Sequence, residues 1–204
     1  REIESTVTSR LEVTIKFLQD MIQAPSVNPP GDYSDIHEVV VSRLDNSDWN
    51  TETVWAPDEL LKQHEHKYPR PNVVSTVAEG SGITIVLNAH LDTVPIDDTE
   101  WTYDPFGGTI DGRFVYGRGS KDSKGRVAAY TLASEVLMEI SELPGDPTIQ
   151  LALTADEETG SQAGLKYLLE NEYLDCDYAI VEGHIDKIGY AMPGRLRFMI
   201  SVQG

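Results

Sequence analysis

Three apolar runs in the chain stop on residues with metal-binding side chains. Residues 83–92 close on His90, Leu91 and Asp92, residues 149–158 on Asp156, Glu157 and Glu158, and residues 178–182 on Glu182. Near-continuous apolar runs of this length suit strands covered on both faces, as in α/β folds with a parallel sheet. Elsewhere the period changes to that of helices. Val7, Leu11, Ile15, Leu18 and Ile22 predict an amphipathic first helix, ended by Asn28-Pro29-Pro30-Gly31. Ile36, Val39, Val40 and Leu44 predict a second, and strands are expected near residues 52–55 and 72–77. Residues 96–119, dense in Asp, Gly and Thr, read as loop. Val127, Tyr130, Thr131, Ser134, Leu137 and Met138 then predict a helix that packs on the sheet, and Leu165, Leu168 and Leu169 a further one. Helix, strand, helix, strand after Asp122 is the βαβ pattern, with right-handed crossovers. The expected fold is therefore α/β, a mostly parallel sheet flanked by helices. In such sheets the functional crevice lies outside the carboxyl ends of the strands, so the acids and the histidine that close the three runs converge on one edge.

The last residues behave differently. Leu196, Phe198, Ile200 and Val202 alternate with Arg197, Met199, Ser201 and Gln203, which predicts a half-buried strand after a turn at Met192-Pro193-Gly194. It is either the first strand of a further domain or an ordinary edge strand.

Composition narrows the function classes. The 204 residues, 40% of them hydrophobic, describe one globular domain by default. A net charge of -18 opposes nucleic acid and anionic membrane surfaces, and bound divalent metal would neutralise part of it. No apolar run approaches the roughly 18 residues of a membrane span, and nothing at the start reads as a signal peptide. The chain opens on Arg1 and not on methionine, which leaves a removed leader open. Cys176 is the one cysteine and has no internal disulfide partner, which favours a cytoplasmic location.

Each candidate has two readings. His90 and Asp92, at i and i+2, lie on one side of an extended segment. The carboxylate can accept from one imidazole nitrogen while the other binds metal; alternatively the pair is a polar turn closing a strand. Asp122 ends a glycine-rich loop that starts at Gly117-Arg118-Gly119, and is either the cap of the following helix or a carboxylate bridging two metals about 3.5–4 Å apart. Glu157 and Glu158 point in different directions, so one can bind metal while the other handles the proton of an attacking water; alternatively, with Asp156, they are a solvated acidic cluster at a helix start. Glu182 is a strand-end cap or a last ligand.

Together these residues resemble a known family. His90-Leu91-Asp92-Thr93-Val94-Pro95, Trp101, Asp104-Pro105-Phe106, Gly117-Arg118-Gly119 with Asp122, Lys124 and Gly125, and Glu157-Glu158 with Gly160 and Ser161 look like the signatures of the acetylornithine deacetylase, succinyl-diaminopimelate desuccinylase, aminoacylase and glutamate carboxypeptidase family. Its members are dinuclear zinc amidohydrolases and exopeptidases. The resemblance implies that His90 and Glu182 hold one zinc, Glu158 the other, and Asp122 bridges them. Asp92 would orient His90, and Glu157 would be general base and then general acid in amide hydrolysis. Cobalt or manganese would suit the same mixed ligands. The implied substrates are N-acyl amino acids or short peptides with a free carboxylate, and no nucleic acid or membrane partner is implied.

The resemblance also bears on the chain's extent. Residues 1–194 would be the N-terminal part of the catalytic domain, and residues 195–204 the strand leading into a lid and dimerisation domain that is absent here, along with a last histidine ligand. A homodimer would form through that lid. A non-catalytic binding module that keeps the fold is the alternative function. His184 reads as a surface residue, His64 and His66 as a stray pair without a partner motif, and His37 as surface or packing. Ser123 stands where relatives often carry an acid or Asn.

Overall fold

The computed structural model describes residues 2–97, 99–139 and 143–183. The strand expected at 195–204, and His184, lie outside them. In chain order come helix α1 (Glu2–Gln23), α2 (Ser34–Leu44), strand β1 (Asn50–Trp55), α3 (Asp58–Gln63), β2 (Pro71–Ala78), β3 (Thr84–His90), β4 (Thr109–Asp111), β5 (Phe114–Tyr116), α4 (Lys124–Met138), β6 (Thr148–Thr154), a 3-10 turn (Glu157–Thr159), α5 (Leu165–Glu170) and β7 (Tyr178–Ile180).

The five-stranded sheet has the order β1-β2-β6-β3-β7. β3 is parallel to both β6 and β7, whereas β2 is antiparallel to β1 and β6. Four strands therefore run one way and β2 runs against them, which keeps the expected α/β class with one reversed strand. Link length explains the reversal. A parallel crossover needs about a dozen residues, which α4 supplies between β3 and β6. Residues 79–83 between β2 and β3 are too few, so β2 runs opposite to β3 and β6 inserts between them.

Side-chain alternation gives the sheet two apolar faces. Val73, Leu87, Leu151 and Leu153 pack with Phe17, Met21, Ile36, Val40, Leu44 and Val127 from α1, α2 and α4. Val54, Val74, Val86 and Ala152 pack on the opposite side with Leu168 of α5 and Leu174. The runs ending at His90 and Glu158 are thus covered on both faces as expected. The third is not: Tyr178, Ile180 and Val181 are exposed, because among the described residues β7 pairs only with β3 and forms the sheet edge.

Two further expectations need correction. Of the stripe expected on α1, Ile22 is buried and Leu18 packs against the core, but Leu11 is 46% exposed and Thr14, Phe17 and Met21 take inward positions. α1 packs along α4 and α2, and the side that faces away from them leaves Ile3 and Val13 in solvent. Residues 96–119 also contain a hairpin, β4 and β5, paired from Asp111↔Phe114 to Thr109↔Tyr116. Its signal was the Asp111-Gly112 step between apolar neighbours, with Gly112 in the left-handed region at φ 59°. The short α3 was not anticipated either.

Lys124, the first residue of α4, joins α4 to α1. Its side chain is fully buried, and Nζ donates to the carbonyls of Met21 (2.8 Å) and Ala24 (3.0 Å), at the end of α1. Burial pulls its pKa down to about 7, against the opposing pull of Asp92. Gly119 makes room for it: a Cβ there would meet Thr93 Cγ2 at 2.8 Å and Lys124 Cδ at 3.0 Å. Replacing Lys124 by Met keeps the length but strands two buried acceptors. Urea unfolding of K124M should show a loss of about 1–3 kcal/mol per stranded acceptor; an unchanged midpoint would mean that water serves those carbonyls equally well.

Candidate metal centre

β3 delivers His90 to the carboxyl edge of the sheet, and the parallel register with β6, His90↔Thr154, brings the residues after Thr154 alongside it. The register with β7, Leu87↔Ile180, sends Glu182 to the same edge. His90 itself is buried. Its Nε2 faces Asp122 Oδ1 at 3.0 Å, Glu182 Oε1 at 3.4 Å and Glu157 Oε2 at 3.8 Å. Its Nδ1 faces Asp92, 3.0 Å from the backbone carbonyl and 3.4 Å from Oδ1. Asp92 therefore addresses the ring through its carbonyl as well as through its carboxylate, and Nε2 is the nitrogen left to face the acids.

Asp92 is fully buried and does more than hold a ring. Its Oδ2 accepts from Asn28 Nδ2 (2.8 Å) and from the Glu158 N–H (3.1 Å), and its Oδ1 accepts from the Glu157 N–H (3.2 Å). Burial alone would raise its pKa, but His90, Asn28 and the Glu158 N–H hold it below the usual carboxylate range. The two glutamates are thus fixed by their own backbone to the end of the neighbouring strand.

All six expected residues, His90, Asp92, Asp122, Glu157, Glu158 and Glu182, meet at this edge. Asp122 is not the side-chain cap of α4; the cap position falls to Ser123, whose side chain makes no capping bond. One ligand atom each from His90, Asp122 and Glu158 lie within 4.8 Å of one another, a spacing that a single cation can span. Burial and the surrounding acids raise the pKa of Glu157 and of Glu158. His90, which burial would make less basic, is driven up to about 11 by Asp92 and Glu182. Glu182 is raised by burial but pulled down to about 2 by His90, Ser123 and Arg126, and its Oε1 is buried without a hydrogen-bond donor. An imidazole among carboxylates is a donor set for a borderline divalent ion, so the residues fit a metal.

Behind these residues lies a network the sequence did not announce. Asp156, which the alternative reading of the acids put in a solvated cluster, is fully buried with a left-handed backbone (φ 69°), which Asp tolerates better than most residues. Its N–H donates to the Tyr33 hydroxyl at 2.8 Å, and its carboxylate accepts from the Ala163 N–H (3.1 Å) and from Thr159 Oγ1. Arg70 Nε stands 3.5 Å and His66 Nε2 3.3 Å from the same carboxylate. Buried Arg70 also donates to the carbonyls of Gly31 (2.8 Å) and Tyr68 (2.9 Å). His66 is therefore a partner of Asp156 and Arg70 and not a stray member of a pair; burial lowers its pKa. His37 packs as expected, with Nε2 2.9 Å from Thr53 Oγ1. Only the turn residues Asn28-Pro29-Pro30-Gly31 and the step Arg70-Pro71-Asn72 hinted at this network, because it has no period.

Residues 86–198, more than half of the chain, match the model of the peptidase family M20/M25/M40. The chain belongs to this family. It is the one that the motifs around His90, Asp122 and Glu157 resemble, and its members are metal-dependent. A succinyl-diaminopimelate desuccinylase of Ruegeria sp. is 38% identical over 119 residues, 54% of this chain and 30% of that protein. An uncharacterised metallohydrolase of Methanococcus maripaludis is 31% identical over 169 residues, 80% of this chain and 40% of that one. The structure of an M20 family metallo-carboxypeptidase from Sulfolobus solfataricus superposes with a TM-score of 0.63 at 27% identity, covering 86% of this chain and 37% of its own. The chain thus spans less than half the length of these M20 relatives.

Asp156→Asn keeps the shape of the side chain and removes its charge, leaving Arg70 buried without an anion. In EDTA, where metal plays no part, urea unfolding should show a loss of about 3–5 kcal/mol. A loss below about 1 kcal/mol would show that the carbonyls of Gly31 and Tyr68 satisfy Arg70 without Asp156.

Proposed function

We propose that the chain carries the metal-binding part of an M20 amidohydrolase site that cleaves the amide bond of N-acyl amino acids or short peptides. The observation that carries the reading is His90 Nε2 facing Asp122, Glu157 and Glu182 while Asp92 fixes both the ring and the backbone of Glu157 and Glu158. His90 and Glu182 would hold one ion, Glu158 a second, and Asp122 both. Zinc is the metal we favour, with cobalt or manganese suited to the same ligands. When bound, such ions polarise an amide carbonyl and lower the pKa of water toward about 7.

The chain's own residues supply the proton path. The Glu157 side chain is half exposed, whereas His90 is 2% exposed, so the acid sits at the open face of the cluster and the imidazole at its base. Its raised pKa brings Glu157 closer to neutrality than an ordinary carboxylate, which favours both taking a proton from attacking water and returning it to the leaving nitrogen. Asp92 holds the Glu157 backbone and so fixes where that exchange takes place. Groups for the substrate carboxylate, and the contacts of a homodimer, would come from a lid beyond residues 1–194.

The relatives support a small-molecule substrate of this class. Among the described residues no helix is long and apolar enough to cross a membrane, and the charge of -18 disfavours nucleic acid. With Cys176 the one cysteine, no internal disulfide is involved, which fits the cytoplasm.

The test combines elemental analysis with hydrolysis of a panel of N-acetyl and N-succinyl amino acids and dipeptides, for the wild type and Glu157→Gln. E157Q should retain as much metal as the wild type and lose roughly 100- to 10,000-fold in turnover. Wild-type turnover by metal-loaded E157Q would remove Glu157 from the proton path. The panel is run on the chain joined to the lid and last histidine that this reading places beyond residue 194, and inertness of that metal-loaded protein toward the whole panel would overturn the catalytic reading.

A further inference from the structure

Glu182 is carried by the least supported segment of the centre. β7 is three residues long, exposed and paired only with β3 among the described residues, and the backbone pairing ends at Ile180, two residues before Glu182. Side chains of α4 take over from there. Arg126 Nη2 donates to the Gly183 carbonyl at 2.8 Å, and Tyr130 Oη reaches the Val181 carbonyl at 3.5 Å. Arg126 Nη1 donates to the Lys121 carbonyl at 3.1 Å, the residue before Asp122, and stands 3.8 Å from Glu182 Oε1. One guanidinium thus spans the two loops that bring Asp122 and Glu182 to His90.

We infer that Arg126 is a positioning residue that sets the Glu182 carboxylate, and the separation of Glu182 from Asp122, for metal binding. This rests on the assignment of Glu182 as a ligand made above. The fork of Arg is suited to the task, because its planar, fixed donors hold two carbonyls at once, whereas the single ammonium of Lys gives up that geometry. The two ways in which Arg126 can act have opposite signs. As a positive charge close to the ligands it opposes a cation, so its removal by itself would tighten metal binding. As a clamp it places a ligand, so its removal weakens binding, by about 10- to 100-fold for a residue that orients a metal ligand.

The experiment is a Co(II) titration followed by visible absorption for wild type, R126A, R126K and E182Q, with melting of each metal-free protein. The expected result is 10- to 100-fold weaker binding by R126A with an altered cobalt spectrum, R126K between it and wild type, and metal-free melting close to wild type. Binding by R126A equal to or tighter than wild type, while E182Q binds weakly, would overturn the positioning role and leave the ligand assignment standing. Unchanged binding by E182Q would remove Glu182 from the ligand set, and this inference with it. A lower metal-free melting temperature for both Arg126 variants, with affinity falling equally in both, would assign Arg126 to fold support alone and overturn the inference.

Discussion

The fully buried carboxylate of Asp92 is the constraint on which the centre depends. An anion removed from water is tolerated only when its lone pairs are filled, and here Asn28, the N–H groups of Glu157 and Glu158, and the His90 ring fill them. The partners come from three places: the loop after α1, the turn after β6, and the end of β3. Satisfying one carboxylate therefore fixes three chain segments relative to one another. The arrangement of His90 and the two glutamates follows from that requirement and needs no separate device.

Asp156 repeats the solution one step deeper. Its partners are Arg70, His66, Thr159 and the Ala163 N–H, and Asn28 Nδ2 lies between the two aspartates, 2.8 Å from Asp92 Oδ2 and 3.5 Å from Asp156 Oδ1. Two buried acids bridged by one amide would repel each other in a chain already carrying a charge of -18. The Arg70 guanidinium, held against the Tyr33 ring at 5.2 Å, supplies the compensating charge. Nearer solvent Arg126 stands beside Glu182, and Asp92 and Glu182 together make His90 strongly basic.

How much of this was legible in the sequence depended on whether a feature has a period or a motif. The strands ending at His90 and at Thr154 were readable because both faces of each are apolar, and the convergence of His90, Glu157, Glu158 and Glu182 followed from strand ends sharing an edge, whereas Asp122, in the loop before α4, was joined to them by the family resemblance. The reversal of β2 was not read, although residues 79–83 are too few for a crossover. The stripe of α1 was misplaced toward Leu11 because the period shows that a helix has an apolar side but not which of its turns a neighbour covers. Arg70, Tyr33, Asn28 and Asp156 were missed for a different reason. Each is an ordinary polar residue in a turn, and only tertiary contact makes it a buried partner.

The division among the carboxylates follows from these surroundings. Asp92 and Glu182 are held below their ordinary range by His90 and by the hydrogen-bond donors or cation beside them, so they stay anionic. Glu157 and Glu158 have their backbones secured by Asp92, yet their side chains feel burial and the nearby acids, so their affinity for protons rises. Environments that push equivalent groups apart in this way are how one site provides both permanent charge and an exchangeable proton. Exposure sorts the members of the raised pair and the ligands further: the Asp122 side chain is 64% exposed, so it is open to whatever binds, while His90 below it is held by Asp92. On the proposed function, a rigid, buried imidazole under an open, acidic rim would let cation and substrate approach from one side without disturbing the residues that orient them.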